Sequence, residues 1–143
     1  MNIHQISVFL ENRSGQLAEI TRLLADANVD IRALSIAETA DYGLARMIVD
    51  DSAKASSILL QHGDILSMTP VWAVEVPDRP GGLAEMLGVL AENHVDVEYM
   101  YSLFAHQEGK AYMVMRIHDE PRFLSTLGDR KIKIMTKAEL NLK

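Results

Sequence analysis

The chain has 143 residues, of which 48% are hydrophobic, and its formal net charge is −6. This hydrophobic content excludes a disordered chain, and the acidic balance disfavours a nucleic-acid partner held through phosphates. There is no cysteine, which excludes disulfides and thiolate metal sites. The opening MNIHQISVFLENRSG has no secretory leader, and no segment approaches the ~18 continuous apolar residues of a membrane span. We therefore expect a cytoplasmic protein that binds neither membrane nor nucleic acid.

An internal repeat with a period of 66 residues determines the predicted domain organisation. The segment ENRSGQLAEITRLLADANVDI, which begins at Glu11, aligns without gaps with PDRPGGLAEMLGVLAENHVDV, which begins at Pro77. The two segments share glycines and a Val-Asp pair, which chance similarity between two amphipathic helices would not reproduce. We therefore predict two tandem domains, residues 1–69 and residues 70–143.

The first copy predicts the element order βαββαβ. Short runs rich in β-branched residues predict strands, and apolar residues at helical spacing predict helices. Asp51 and Ser52 are candidate caps for the second helix, and Gly63 is its candidate end. The predicted elements are strand His4–Leu10, helix Leu17–Ala27, strand Asp30–Ala37, a turn at Asp41–Gly43, strand Leu44–Val49, a helix through Leu60 and strand Asp64–Thr69.

The second copy repeats this order and adds a segment at its end. Its predicted elements are strand Val71–Val76, helix Gly81–Asn93, strands Val97–Phe104 and Lys110–Ile117, a helix near Glu120–Leu127 and a final strand from Lys131. Residues Ala138–Leu142 are predicted as an extra C-terminal strand that covers a sheet edge. Because each unit is small and this strand needs a partner, we also predict a homodimer.

The predicted fold class is therefore α+β. The order βαββαβ, present twice, indicates two tandem ferredoxin-like repeats. We expect them to pack side by side with a continuous antiparallel sheet and all helices on one face, because the join near Pro70 leaves too little linker for independent domains.

The loop after the first strand of each copy is the most informative place for binding chemistry. Gly15 and Gly81 each stand at a predicted helix start, where free backbone N–H groups carry partial positive charge and suit a carboxylate. Just before them, Asn12 and Asp78 have short polar side chains. These side chains either face the ammonium group of a ligand or only cap the helix, and both interpretations stay open.

The pattern N/D-R-S/P-G-x-L-A, followed about one helix later by Val-Asp-Ile or Val-Asp-Val, resembles the ACT domain. The resemblance covers roughly residues 3–69 and 71–137. The opening ISVFLENRSGQLAEI is also similar to the start of the small regulatory subunit of acetolactate synthase, itself an ACT protein. The resemblance implies a protein that binds an amino acid where two ACT units pack side by side. The ligand would lie between the first loop and helix start of one unit and the sheet of a neighbouring unit.

The positions that match the family define the expected ligand-binding residues. In the first copy they are Asn12, Gly15, Gln16, Leu17, Val29, Asp30, Ile31 and Ser35. In the second copy they are Asp78, Gly81, Gly82, Leu83, Val95, Asp96 and Val97. The signatures of serine-sensing and phenylalanine-sensing ACT domains are absent, which favours a branched-chain or another apolar amino acid as ligand. No cofactor and no metal are expected.

No set of nucleophile, base and orienting residue is visible, so we expect no catalytic residues and no enzyme activity. Three functions stay open. The chain is a free-standing amino-acid sensor with a regulatory, allosteric output, or a subunit that binds and controls a separate metabolic enzyme, or an interaction module without a ligand. The first two require intact glycine loops, whereas the third does not.

Overall fold

The computed structural model describes residues 2–11, 13–38 and 41–143. It divides into two compact units, which meet in sequence between Thr69 and Pro70. Repeat one comprises His4–Thr69 with Asn141–Lys143, and repeat two comprises Pro70–Leu140 with the N-terminal residues up to Ile3. Among the helices of the described residues, none is long and apolar enough to cross a membrane.

The helices and strands follow the predicted order. They are β1 (Ile3–Glu11), α1 (Gln16–Asp26), β2 (Ile31–Glu38), β3 (Tyr42–Val49), α2 (Ser52–His62), β4 (Leu66–Pro77), α3 (Gly82–Glu92), β5 (Val97–Ser102), β6 (Lys110–Ile117) and α4 (Glu120–Asp129). Strand β4 runs without interruption across the division between the units, so its first residues belong to repeat one and the remainder to repeat two.

In repeat one the strand order is β2-β3-β1-β4, with β3 antiparallel to both β1 and β2. The apolar stripe of α1 buries Ile20 and Leu24 against the sheet, as its spacing predicts. Helix α2 starts where predicted, because the Asp51 side chain accepts the backbone N–H of Lys54 at 3.1 Å. It ends at Gly63, whose left-handed backbone closes the helix.

In repeat two the order is β4-β6-β5, again with antiparallel pairs. On the other side of β4, Val74 forms an antiparallel bridge with Ile134. Two backbone hydrogen bonds flank this bridge, from Glu75 N–H to Lys133 O at 3.0 Å and from Met135 N–H to Ala73 O at 2.8 Å. The predicted final strand is therefore a short extended segment. The α+β class and the two ferredoxin-like βαββαβ repeats are confirmed.

The predicted extra strand Ala138–Leu142 is wrong, because residues 137–141 form a turn. The Thr136 hydroxyl accepts the backbone N–H of Glu139 at 3.1 Å, and the Glu139 carboxylate accepts the backbone N–H of Thr136 at 3.1 Å. This reciprocal pair is a capping box of the Thr-x-x-Glu type, which starts a helical turn and bends the chain out of the extended conformation.

Candidate ligand-binding cleft

Both repeats begin their first helix in the same way. Gly15 and Gly81 are the N-cap residues of α1 and α3, and both have a left-handed backbone. The arginine of the preceding turn reaches the first-turn glutamate of the helix, with Arg13 to Glu19 and Arg79 to Glu85 each at 2.9 Å. In repeat one the hydrogen bond between the Arg13 and Glu19 side chains raises the pKa of Arg13 and lowers the pKa of Glu19. These arginines therefore hold the turn to the helix.

A cleft of about 480 Å³ lies beside the start of α3, entirely within repeat two. Its buried residues are Val76 at the end of β4 and Gly82 and Met86 on α3. Val89 and Ile132 add half-buried apolar surface. This volume and apolar floor are typical of small-molecule sites, which combine apolar walls with a few placed polar groups.

The rim of this cleft carries a concentration of charge. The described charged residues that line it are the cations Lys110, Arg130, Lys131 and Lys133 and the carboxylates Glu75 and Glu85. The rim is therefore locally cationic, whereas the whole chain has a net charge of −6. Charged groups of both signs at one concave surface can hold the carboxylate and the ammonium group of an amino acid.

Most of these rim charges have partners within repeat two. Lys110 Nζ lies 3.5 Å from Glu75 Oε1, and Arg130 Nη2 lies 3.5 Å from Glu92 Oε2. Lys133 Nζ lies 2.5 Å from Glu139 Oε2. The hydrogen bond to Glu139 raises the pKa of Lys133, and the same bond lowers the pKa of Glu139. In the described part of the chain, the Lys131 ammonium group has no ion-pair partner.

Repeat one has a buried side chain at the position that corresponds to Gly82. Gln16 stands where repeat two has Gly82, is buried, and accepts the backbone N–H of Glu11 with its Oε1 at 2.6 Å. No side chain fits at residue 82, because a Cβ atom there would overlap the carbonyl oxygen of Pro77. The two loops therefore approach their helices differently. The loop of repeat one is closed by an amide side chain, whereas the loop of repeat two brings its backbone against a glycine.

The basic segment after α4 also has a counterpart in repeat one. The Phe9 N–H donates to Ile65 O at 2.9 Å, as the N–H of Glu75 donates to Lys133 O, so Ile65 and Lys133 occupy equivalent places. By the same register, Gly63 corresponds to Lys131, and both have positive φ, 94° and 56°. Repeat one therefore has glycine and isoleucine where repeat two has two lysines.

The structure places the residues expected from the family pattern in several different environments. Gly82 lines the cleft and Gly81 precedes it, whereas Asn12 lies outside the described residues. The Asp78 side chain does not cap α3, and its N–H donates to Gly109 O at 3.0 Å. The apolar cores include Val29 and Val95, and the residues that pack against these cores are Leu17, Ile31 and Val97. The exposed residues are Leu83, Asp30 and Asp96.

Within one repeat, the Gly loop and the Val-Asp pair lie at opposite ends of the same helix. Helix α1 has 11 residues, which span roughly 16 Å at the usual rise per residue. The backbone N–H of Asp30 donates to Asp50 Oδ1 at 2.9 Å, and Ser35 lies half-buried on β2 opposite Arg46. A ligand that contacts both groups must therefore bridge two different ACT units, and that arrangement stays a prediction.

Sequence reasoning missed the charged residues that surround the cleft. They come from four separate segments, namely β4, α3, the start of β6 and the segment after α4. A signal was nevertheless present. The period of 66 residues pairs Lys110 with Leu44, and the structural register pairs Arg130, Lys131 and Lys133 with His62, Gly63 and Ile65, so lysine or arginine stands at these positions in repeat two only.

Comparisons with known proteins agree with this geometry. The chain consists of two ferredoxin-like units in tandem, each with a left-handed glycine before its first helix. The family model of the ACT domain pair matches residues 1–142, and the chain belongs to this family. No curated protein matches the sequence.

Solved structures show the same architecture. Protein BT0572 from Bacteroides thetaiotaomicron is 37% identical to this chain, with a TM-score of 0.90 over 99% of this chain and 96% of that chain. The regulatory subunit of aspartate kinase from Thermus thermophilus is 15% identical, with a TM-score of 0.64 over 87% of this chain and 90% of that chain. The regulatory subunit of aspartate kinase from Thermus flavus is 16% identical, with a TM-score of 0.61 over 90% of this chain and 92% of that chain. The latter two share the fold.

Proposed function

We propose that this protein is an amino-acid-binding regulatory protein and that its ligand binds in the cleft of repeat two. The observation that carries the proposal is the cleft itself, which places an apolar floor and a rim of both charges beside the start of α3. The N-terminal end of a helix favours a carboxylate, and the Glu75 and Glu85 carboxylates favour an ammonium group. An α-amino acid carries both groups on one carbon atom.

The proposal assigns ligand binding rather than catalysis to the chain. Binding to the native state stabilises it by mass action, and it changes the affinity of the protein for a partner when the partner recognises the occupied form. The homodimer, the cytoplasmic location and a separate metabolic enzyme as partner stay predictions of the sequence. A seam between neighbouring ACT units as part of the site is likewise a prediction.

A thermal-shift screen against the twenty amino acids, followed by calorimetry of the strongest responders, tests the proposal. The Val89→Trp variant puts a bulky ring into the half-buried wall of the cleft and should abolish binding. Leu23→Trp is the matched control, because Leu23 is the half-buried counterpart of Val89 on α1. Circular dichroism confirms that both variants fold.

The expected result is binding by the parent protein and by Leu23→Trp but not by Val89→Trp. If Val89→Trp folds and binds the same amino acid with unchanged affinity, the cleft is not the site. If no amino acid binds the parent protein, the proposed function is wrong.

A further inference from the structure

Lys131 is the rim residue whose position needs an explanation. It follows the C-cap residue of α4 and has a φ of 56°, in the left-handed region that costs L-residues conformational energy. Repeat one has Gly63 at the equivalent place, where the same backbone region carries no such cost. The chain therefore places a long cation on a backbone position that favours glycine, which points from local strain to a function.

The charged residues around Lys131 indicate which charge a ligand must bring to the cleft. Glu75, Glu92 and Glu139 already face Lys110, Arg130 and Lys133 respectively, and Glu85 faces Arg79. Lys131 alone among the described rim cations lacks an internal counter-ion. Because Lys131 is exposed, water solvates its charge while the cleft is empty. A ligand that displaces this water leaves an uncompensated cation unless it brings an additional anion.

We infer that the cleft takes an acidic amino acid and that Lys131 binds its side-chain carboxylate. The inference rests on the proposed function and specifies its ligand class. An acidic amino acid carries one negative charge more than a neutral one, which matches the one uncompensated cation on the described rim. This ligand class differs from the apolar amino acid that the sequence pattern favours, because the pattern contains none of the rim lysines.

The selectivity test uses calorimetry with L-glutamate and L-aspartate against L-glutamine and L-asparagine. Each acid and its amide have nearly the same shape and differ in side-chain charge. We expect one of the acids to bind the parent protein about tenfold more tightly than its amide, the usual scale for one well-placed charge contact. High salt should reduce this preference.

Variants at residue 131 test the role of the lysine. Lys131→Gly should reduce the acid preference to less than about threefold while the amide binds as before. Its melting temperature should equal or exceed that of the parent protein, because glycine relieves the left-handed strain. Lys131→Arg should keep the preference. Lys54→Ala removes the same charge from an exposed position on α2 of repeat one and should change nothing.

The outcomes separate this inference from the proposed function. If the amides bind the parent protein as tightly as the acids while Val89→Trp still blocks binding, the inference is wrong and the proposed function stands. If the preference survives in Lys131→Gly, Lys131 is not the selecting residue. If that variant unfolds at a much lower temperature, the strain argument that singles out Lys131 is wrong. If none of the twenty amino acids binds, both fail.

Discussion

Repeat one and repeat two start their first helices with the same left-handed glycine and the same arginine–glutamate ion pair, but the space beside the helix differs. In repeat one the buried Gln16 side chain binds the loop, whereas in repeat two the Pro77 carbonyl oxygen lies against Gly82, next to the cleft. The segment after the second helix follows the same division, with Gly63 in one copy and Lys131 in the other. We therefore assign the shared features to the fold and the differing ones to the proposed ligand site of repeat two.

The comparison predicts first that Gly82 is far more sensitive to a side chain than its neighbours on α3. Gly82→Ala should lower the free energy of unfolding by about 3 kcal/mol, because the new Cβ atom overlaps the Pro77 carbonyl oxygen. Gly88→Ala on the same helix meets nothing within 4 Å, and it should raise the free energy of unfolding by about 1 kcal/mol. Urea denaturation measures both, and equal effects would show that the loop of repeat two is not tightly packed.

A smaller effect is expected at the corresponding residue of repeat one. Gln16→Ala removes the acceptor of the Glu11 N–H and should cost about 2 kcal/mol, because a partly buried donor is left unpaired. Ligand binding in repeat two should be unchanged, which calorimetry checks. A variant as stable as the parent protein would mean that the side chain only covers the loop without holding it.

The smallest effect concerns the arginine–glutamate pair that the repeats share. The lowered pKa of Glu19 contributes stability that is complete above its unfolded-state pKa and is lost as the pH falls through the folded-state pKa. Glu19→Gln should therefore flatten the acid side of the stability profile, measured by urea denaturation between about pH 7 and pH 3. Arg13→Gln should do the same, and the double variant no more. An unchanged dependence of stability on pH in both single variants would show that the ion pair does not contribute to the stability of the fold.

Much of the fold could be predicted because it depends on local patterns. The stripe around Ile20 and Leu24, the Asp51 cap and the Gly63 end act within one or two turns of the chain. The sequence Thr136-Lys137-Ala138-Glu139 is also a local signal, and it overlaps the segment Ala138–Leu142 that was predicted as a strand. The extra strand failed because a capping box was read as an extended segment.

The candidate site could be predicted only in part. The glycine pattern predicts Gly82 as a binding residue. The need for glycine at this position comes from the nearby Pro77 carbonyl oxygen, whose position cannot be predicted from the spacing of residues in the sequence. Lys110, Lys131 and Lys133 are distant from Gly82 in sequence, and their segments meet at one cleft because β6 and the segment after α4 both pair with β4. Family resemblance identifies positions that the two copies share, whereas the charged residues of the proposed site differ between the two copies.

The central claim is that the ligand binds in repeat two beside α3, and an NMR titration tests it most directly. With a ¹⁵N-labelled parent protein and L-glutamate, the amide signals of Gly82, Gly109 and Lys131 should shift in proportion to occupancy. The amide signals of Gly15 and Gln16 should stay in place. Shifts centred on Gly15 and Gln16, with the signals around the cleft unchanged, would contradict the account.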